Sequence, residues 1–170
     1  MTQRSTKPLL VLFTGSTIPS VKESHGDFDA QFREAIGDAW TGPWATVDAR
    51  DTDMPLPAWD SIAGVIVTGS SSSVTDREAE PWMPRLEAWL RGAVEAEVPL
   101  LGVCFGHQIL ASALGGEVRK NPLGRAIGSR VVRRGRWLWR RRRLGPGVGI
   151  VVGLRRFRAW WIVFGLFRFR

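Results

Sequence analysis

Residues 102–108 read Gly-Val-Cys-Phe-Gly-His-Gln and hold the sole cysteine of a 170-residue chain. An apolar run, Val98-Pro99-Leu100-Leu101, comes just before them. A helix-like stretch, Ile109-Leu110-Ala111-Ser112-Ala113-Leu114, comes just after and is closed by Gly115-Gly116. Strand, sharp Gly-x-Cys-x-Gly turn, helix is the layout of a nucleophile elbow with sulfur in place of hydroxyl. Glycines at that spacing let the backbone turn tightly and lift the residue between them clear of the sheet. A helix N-terminus beneath the sulfur favours negative charge, so a lowered thiol pKa is expected. A lone cysteine is ordinarily a small buried hydrophobe. The paired glycines and the strand-to-helix change around Cys104 point instead to a nucleophile.

The rest of the first 130 residues alternates strand-like and helix-like segments. Leu9-Leu10-Val11-Leu12-Phe13 is a continuous apolar run, as in a strand buried on both faces. Asp27 is placed to cap a helix in which Phe28, Phe32, Ala35 and Ile36 share a face, with Gly37 closing it. Trp44 to Val47 reads as a weaker strand, 51–59 as loop and Ile62 to Val67 as a second buried strand. Thr75-Asp76-Arg77-Glu78 has capping-box spacing ahead of an apolar stripe at Met83, Leu86, Trp89, Leu90, Ala93 and Val94. Strands separated by helices predict an α/β fold with a doubly wound, mostly parallel sheet. Its site is expected at the carboxyl ends of the strands, where Gly69 and Cys104 both fall.

At this point the chain resembles the class I glutamine amidotransferases, of the type related to the glutaminase domain of GMP synthase. The resemblance rests on Gly102 to Gln108 followed by Gly115-Gly116-Glu117-Val118, and on Gly64-Val65-Ile66-Val67-Thr68-Gly69-Ser70 running on to Ser73-Val74. Asn121-Pro122-Leu123-Gly124-Arg125-Ala126-Ile127-Gly128 matches the segment the family carries after the elbow helix. It covers residues 8–130 and implies a flavodoxin-like fold whose C-terminal part is missing or aberrant in this chain. It also implies that Cys104 attacks the side-chain amide of glutamine. Phe105 matches the residue whose N–H faces the oxyanion, and Gly69 or Ser70 matches the second donor. Gly102 and Gln108 match positions that touch the substrate. Where the family has a second glycine and a proline, this chain has Ser70 and Ser71; a turn that works through backbone N–H groups tolerates that. The family's ammonia passes to a synthetase partner or an acceptor substrate, and no cofactor or metal is implied.

Beyond residue 130 the alphabet changes. Residues 1–130 hold 12 Lys+Arg and 16 Asp+Glu, a net of −4, whereas 131–170 hold 12 Arg and no acid. The overall +8 and the pI near 11.2 thus belong to the tail, and a wholly basic, nucleic-acid-seeking protein is the wrong reading. The tail also lacks Ser, Thr, Asn, Gln, His and Lys. It occupies the place where the family supplies a histidine base oriented by a glutamate. Of the two histidines, His107 lies inside the elbow and His25 in a Ser-His-Gly-Asp segment.

Residues 1–130 therefore read as an incomplete amidotransferase-like domain, and 131–170 as an arginine/tryptophan-rich, out-of-frame or otherwise non-native tail. The expected activity is glutamine amide hydrolysis, impaired here for want of the base. The alternative is a non-catalytic binding protein whose tail contacts nucleic acid or a membrane surface: Trp137 and Trp139 interleave with Arg140 to Arg143. The apolar stretch 159–167, flanked by Arg158 and Arg168, falls well short of the roughly 20 residues that span a bilayer. One cysteine excludes an intrachain disulfide or a cysteine metal pair and fits a reducing, cytoplasmic setting. The run Leu9 to Phe13 is too short for a secretory signal.

Overall fold

The computed structural model describes residues 5–118. The matched segment 121–128 and the tail 131–170 lie outside the described residues. The elements in order are β1 (Leu9–Phe13), α1 (Pro19–His25), α2 (Phe28–Ile36), β2 (Trp44–Asp48), β3 (Gly64–Val67), α3 (Trp82–Glu95), β4 (Leu100–Gly102) and α4 (Phe105–Ala113). Short 3-10 turns fall at Gly37–Ala39, Trp59–Ser61 and Val74–Ala79. The four strands form one sheet in the order β2-β1-β3-β4, and every pairing is parallel. The chain steps outward from β1 to β2, then returns to the other side of β1 for β3 and β4. The order reverses between β1 and β3, which is where open α/β sheets place their sites.

The apolar runs become the centre of the sheet. Leu10, Val11 and Leu12 of β1 are wholly buried, and Val65, Ile66 and Val67 of β3 are nearly so. The stripe on α3 buries Met83, Leu86, Leu90 and Ala93, against Phe105, Ile109, Leu110 and Ala113 of α4 in one core cluster. Residues three and four apart share a helix face, so these side chains stack into one seam. Asp27 caps α2 as its sequence predicts: its carboxylate accepts from the Phe28 N–H at 2.8 Å. Gly37 ends α2 at φ 49°, a conformation that favours glycine.

Two local expectations are corrected. The Thr75–Glu78 capping box does not open a helix. Those residues lie in a 3-10 turn capped by Ser73, and α3 starts only after Pro81. Proline interrupts a helix continued from Thr75, yet is tolerated in a first turn, where Pro84 sits. Helix α1 has no counterpart in the sequence reading. It opens at Pro19 and buries none of its seven residues, so it carries no apolar stripe to be recognised.

Candidate active site

The site grows from the end of β4. Gly102 is the last strand residue, Val103 donates its N–H to Val67 O at 2.9 Å, and Cys104 becomes the N-cap of α4. To make that turn Cys104 adopts φ 55° and ψ −111°, a region L-residues rarely occupy. Backbone strain of this kind costs about 1–3 kcal/mol and persists only where the surroundings impose it. The surroundings are the two glycines. A Cβ on Gly106 would stand 2.3 Å from Val67 O, and one on Gly102 would stand 2.7 Å from Gly106 backbone. The Gly106 N–H donates to Thr68 O at 3.0 Å and to Val103 O at 2.9 Å, stitching the elbow to the end of β3.

The loop after β3 reaches the sulfur. A Cβ on Gly69 would lie 3.5 Å from Cys104 Cβ and 4.0 Å from its Sγ. Gly69 and Cys104 are thus neighbours in space, 35 residues apart in sequence. Ser70 follows directly; its Oγ accepts from the Ser72 N–H at 3.1 Å. Beyond it, Ser72 Oγ donates to Glu80 at 2.7 Å, and Trp82 Nε1 donates to the other Glu80 oxygen at 2.6 Å. The Trp82 ring packs on Phe105 with centroids 5.7 Å apart. This run of contacts ties the loop to the start of α3 and on to the elbow helix. Farther along α4, the buried Glu87 of α3 accepts from Ser112 Oγ at 2.6 Å and from Arg77, pinning the two helices together.

Sequence reasoning missed the contribution of β1. Thr14, just past Phe13, is fully buried and donates its N–H to Thr68 Oγ1 at 3.0 Å. Its hydroxyl donates to Thr68 O at 2.9 Å and lies 3.3 Å from Gly69 O. Gly15 packs so closely on the second loop that a Cβ there would come within 2.8 Å of Ser70 Cα. A signal was present: Thr-Gly-Ser occurs at 14–16 and again at 68–70, each time directly after a buried run. Phe28 completes this side; its ring pairs with Phe13 and reaches within 3.8 Å of a Cβ placed on Gly69.

The electrostatics differ from the sequence expectation. Burial pushes the Cys104 thiol above its ordinary range, and the Phe105 N–H pulls it back only in part. The expected lowering by the helix N-terminus does not prevail, because a half-buried thiolate loses more hydration than one amide returns. Burial likewise lowers the His107 imidazole, partly offset by the Cys104 carbonyl, which lies 3.0 Å from Nδ1. His107 is thus 3% exposed and engaged with the backbone of the elbow. His25 is exposed at the end of α1, 2.7 Å from Ser24 Oγ. Gln108 is buried, one turn along α4 from Cys104.

The structure therefore brings Gly69, Ser70, Gly102, Cys104, Phe105 and Gln108 to the carboxyl ends of β3 and β4. An open apolar depression of 430 Å³, lined by Leu56, Pro57, Trp59 and Trp89, lies at the opposite ends of the strands. It is remote from this chemistry: the turn at Trp59–Ser61 precedes β3, and Ala96 on its wall precedes β4. Among the described residues no cluster of three His, Cys, Asp or Glu could hold a metal, and no helix is long and apolar enough to cross a membrane.

A parallel sheet ordered 2-1-3-4, with a strained cysteine where a strand turns into a helix, defines an α/β protein of the cysteine-elbow kind. The family model for class-I glutamine amidotransferases matches residues 26–140, well over half of the chain, and the chain belongs to that family. The glutamine-hydrolyzing GMP synthase of Leifsonia xyli is 43% identical over 88 residues, which are 52% of this chain and 15% of that protein. The crystal structure of a glutamine amidotransferase from Methylobacillus flagellatus is similar at 32% identity and a TM-score of 0.51, covering 69% of this chain and 43% of that one. A glutamine amidotransferase from Thermotoga maritima shares the fold at 20% identity and a TM-score of 0.52, with 73% and 50% covered. The chain thus spans half or less of each of these proteins.

Proposed function

We propose that this chain carries the nucleophile and oxyanion half of a glutamine amidase, with glutamine as its ligand. Cys104 Sγ attacks the side-chain amide carbon, and the C=O electrons move onto oxygen. The Phe105 N–H and an N–H from the Gly69–Ser70 turn hold that oxygen; donors of this kind contribute about 2.7–4 kcal/mol each. The C=O then re-forms as the C–N bond breaks, the nitrogen takes up the proton the thiol gave up and leaves as ammonia, and water hydrolyses the thioester to glutamate and the free thiol. Gly102 and Gln108 flank the glutamine. The ammonia goes to a synthetase partner or an acceptor substrate, as the name of the GMP synthase relative suggests. The observation that carries this reading is the strained Cys104, with the Gly69 loop packed against its sulfur.

Turnover in these 170 residues is impaired. A thiol pushed up by burial needs a base beside it. His107 is engaged with the elbow's own carbonyl, and His25 is exposed on α1 beside Ser24. Arginine, the only charged residue of 131–170, stays protonated. Residues 1–130 are the incomplete amidotransferase-like unit, in a cytoplasmic setting, and 131–170 an arginine/tryptophan-rich, out-of-frame or otherwise non-native tail. The same two histidine placements favour one further reading: a protein that binds through this scaffold without catalysis, its basic tail contacting nucleic acid or a membrane.

A chloroketone analogue of glutamine tests the reading. The full chain is expected to gain one label on Cys104, blocked by glutamine and absent in Cys104→Ser, while ammonia release from glutamine stays at background. Labelling that glutamine does not block would sink the amidase reading and leave the scaffold one. Ammonia release abolished by Cys104→Ser would sink the claim of impairment.

A further inference from the structure

We infer that Thr14 and Thr68 are positioning residues of the oxyanion site: their hydroxyls hold the Gly69 carbonyl toward β1 and thereby turn the Ser70 N–H toward Cys104. The inference deepens the amidase reading and rests on it.

The geometry starts at one carbonyl. Gly69 O lies 3.2 Å from Thr68 Oγ1 and 3.3 Å from Thr14 Oγ1. Thr68 Oγ1 already accepts the Thr14 N–H at 3.0 Å, so its own proton is available to Gly69 O. The Thr14 proton lies mainly on Thr68 O, at 2.9 Å, with Gly69 O as its second acceptor. Both hydroxyls are completely buried, so water does not compete for these bonds. Gly15 confirms the direction, since a Cβ there would stand 2.9 Å from Gly69 O. The Gly69 carbonyl thus faces the loop after β1.

A peptide is planar, and this one is trans, so the N–H of Ser70 points opposite to the C=O of Gly69. Strand β3 lies between β1 and β4. Away from β1 is therefore toward β4 and the elbow that follows it. Among the described residues no protein group accepts the Ser70 N–H. The carbonyl of the preceding peptide reaches the elbow: Thr68 O accepts from the Gly106 N–H of the elbow helix at 3.0 Å, beside the Thr14 hydroxyl at 2.9 Å. Its partner, the Gly69 N–H, points away from that helix. Of the two candidate donors, the geometry selects Ser70, and the two threonines hold it before any ligand arrives.

The test uses the semialdehyde of glutaric acid, in which hydrogen replaces the amide nitrogen and no α-amine is present to close an imine on the aldehyde. The Cys104 thiol adds across its C=O: the S–C bond forms, the π bond breaks, the oxygen takes the thiol proton, and nothing leaves. The hydroxyl oxygen of that adduct sits where the oxyanion forms and accepts from the same N–H donors, whereas bound glutamine and alkylation by iodoacetamide do not call on them. Three quantities are measured on the full chain: semialdehyde affinity, glutamine affinity by protection, and the iodoacetamide rate. Thr14→Val and Thr68→Val are expected to weaken semialdehyde binding about tenfold or more and leave the other two unchanged. Thr14→Ser and Thr68→Ser keep the hydroxyl and are expected to match the parent chain, even where a valine variant does not fold. Semialdehyde binding unchanged in folded valine variants overturns the inference. So does a serine variant that loses affinity, or a loss spread equally over all three quantities. A parent chain that forms no semialdehyde adduct overturns the amidase reading itself, and the inference with it.

Discussion

Cys104 is held in a strained conformation and in a half-buried place, and both properties are measurable. Because burial raises its thiol, the thiolate fraction near neutral pH falls below that of a free cysteine. The iodoacetamide rate of the native chain is expected to rise through a midpoint on the alkaline side of that of an unfolded chain. A midpoint at or below the unfolded value would refute it. The linkage has a definite sign. A folded-state pKa above the unfolded one gives a contribution that is whole below the unfolded value and lost as pH rises through the folded one. Asp27 runs the other way. Desolvation pushes its carboxyl up, but Lys22 at 2.9 Å and the N–H groups of Thr17 and Phe28 together hold it below its ordinary value. Its contribution is present above the ordinary value of 3.8 and disappears as pH falls through the lowered one. Asp27→Ala is expected to cost about 0.5–2 kcal/mol in urea unfolding at neutral pH, and markedly less in acid.

The elements meet at backbone, and glycines set how close they come. Gly106 sits where α4 touches the end of β3, and a methyl group there would meet the Val67 carbonyl, which cannot move aside. Gly106→Ala is expected to destabilise the chain by about 3 kcal/mol, visible as a lower urea midpoint. Gly15→Ala acts on the other flank: it would press on Ser70 Cα and shift the loop that carries the Gly69–Ser70 peptide. It is expected to weaken semialdehyde binding at Cys104 while protection by glutamine is kept. These contacts also explain what was legible. The Gly-x-Cys-x-Gly spacing is a local necessity of the turn, so Gly102 and Gly106 could be read directly. Gly15 owes its identity to a loop 55 residues away, and no local pattern encodes that. The start of α3 was misplaced for a related reason. Thr75 to Glu78 satisfies the local rule for a cap, but Pro81 fixes the helix start.

At the scale of the whole molecule, charge is divided between two stretches. Residues 5–118 carry 7 Lys+Arg against 16 Asp+Glu, while 119–170 carry 16 Lys+Arg and no acid. Opposite charges in one chain attract between copies as well as within one. Light scattering of the full chain is expected to show concentration-dependent association at low salt that diminishes as the Debye length shrinks, from about 30 Å at 0.01 M to about 3 Å at 1 M. Association that grows with salt would point to apolar contacts instead.

The sequence by itself determined the alternation of strands and helices apart from α1, the sharp turn at Cys104 between β4 and α4, and the division of charge. Each of these is set by neighbours a few positions apart: alternating apolar runs, glycine spacing, or composition. Only the tertiary structure decided how the sheet is ordered, that the loop after β3 lies against the sulfur, and that the hydroxyls of two buried threonines come within 3.3 Å of the Gly69 carbonyl. It also reversed the expected effect on the thiol, because hydration is lost to everything packed around an atom, and a helix end is one neighbour among many.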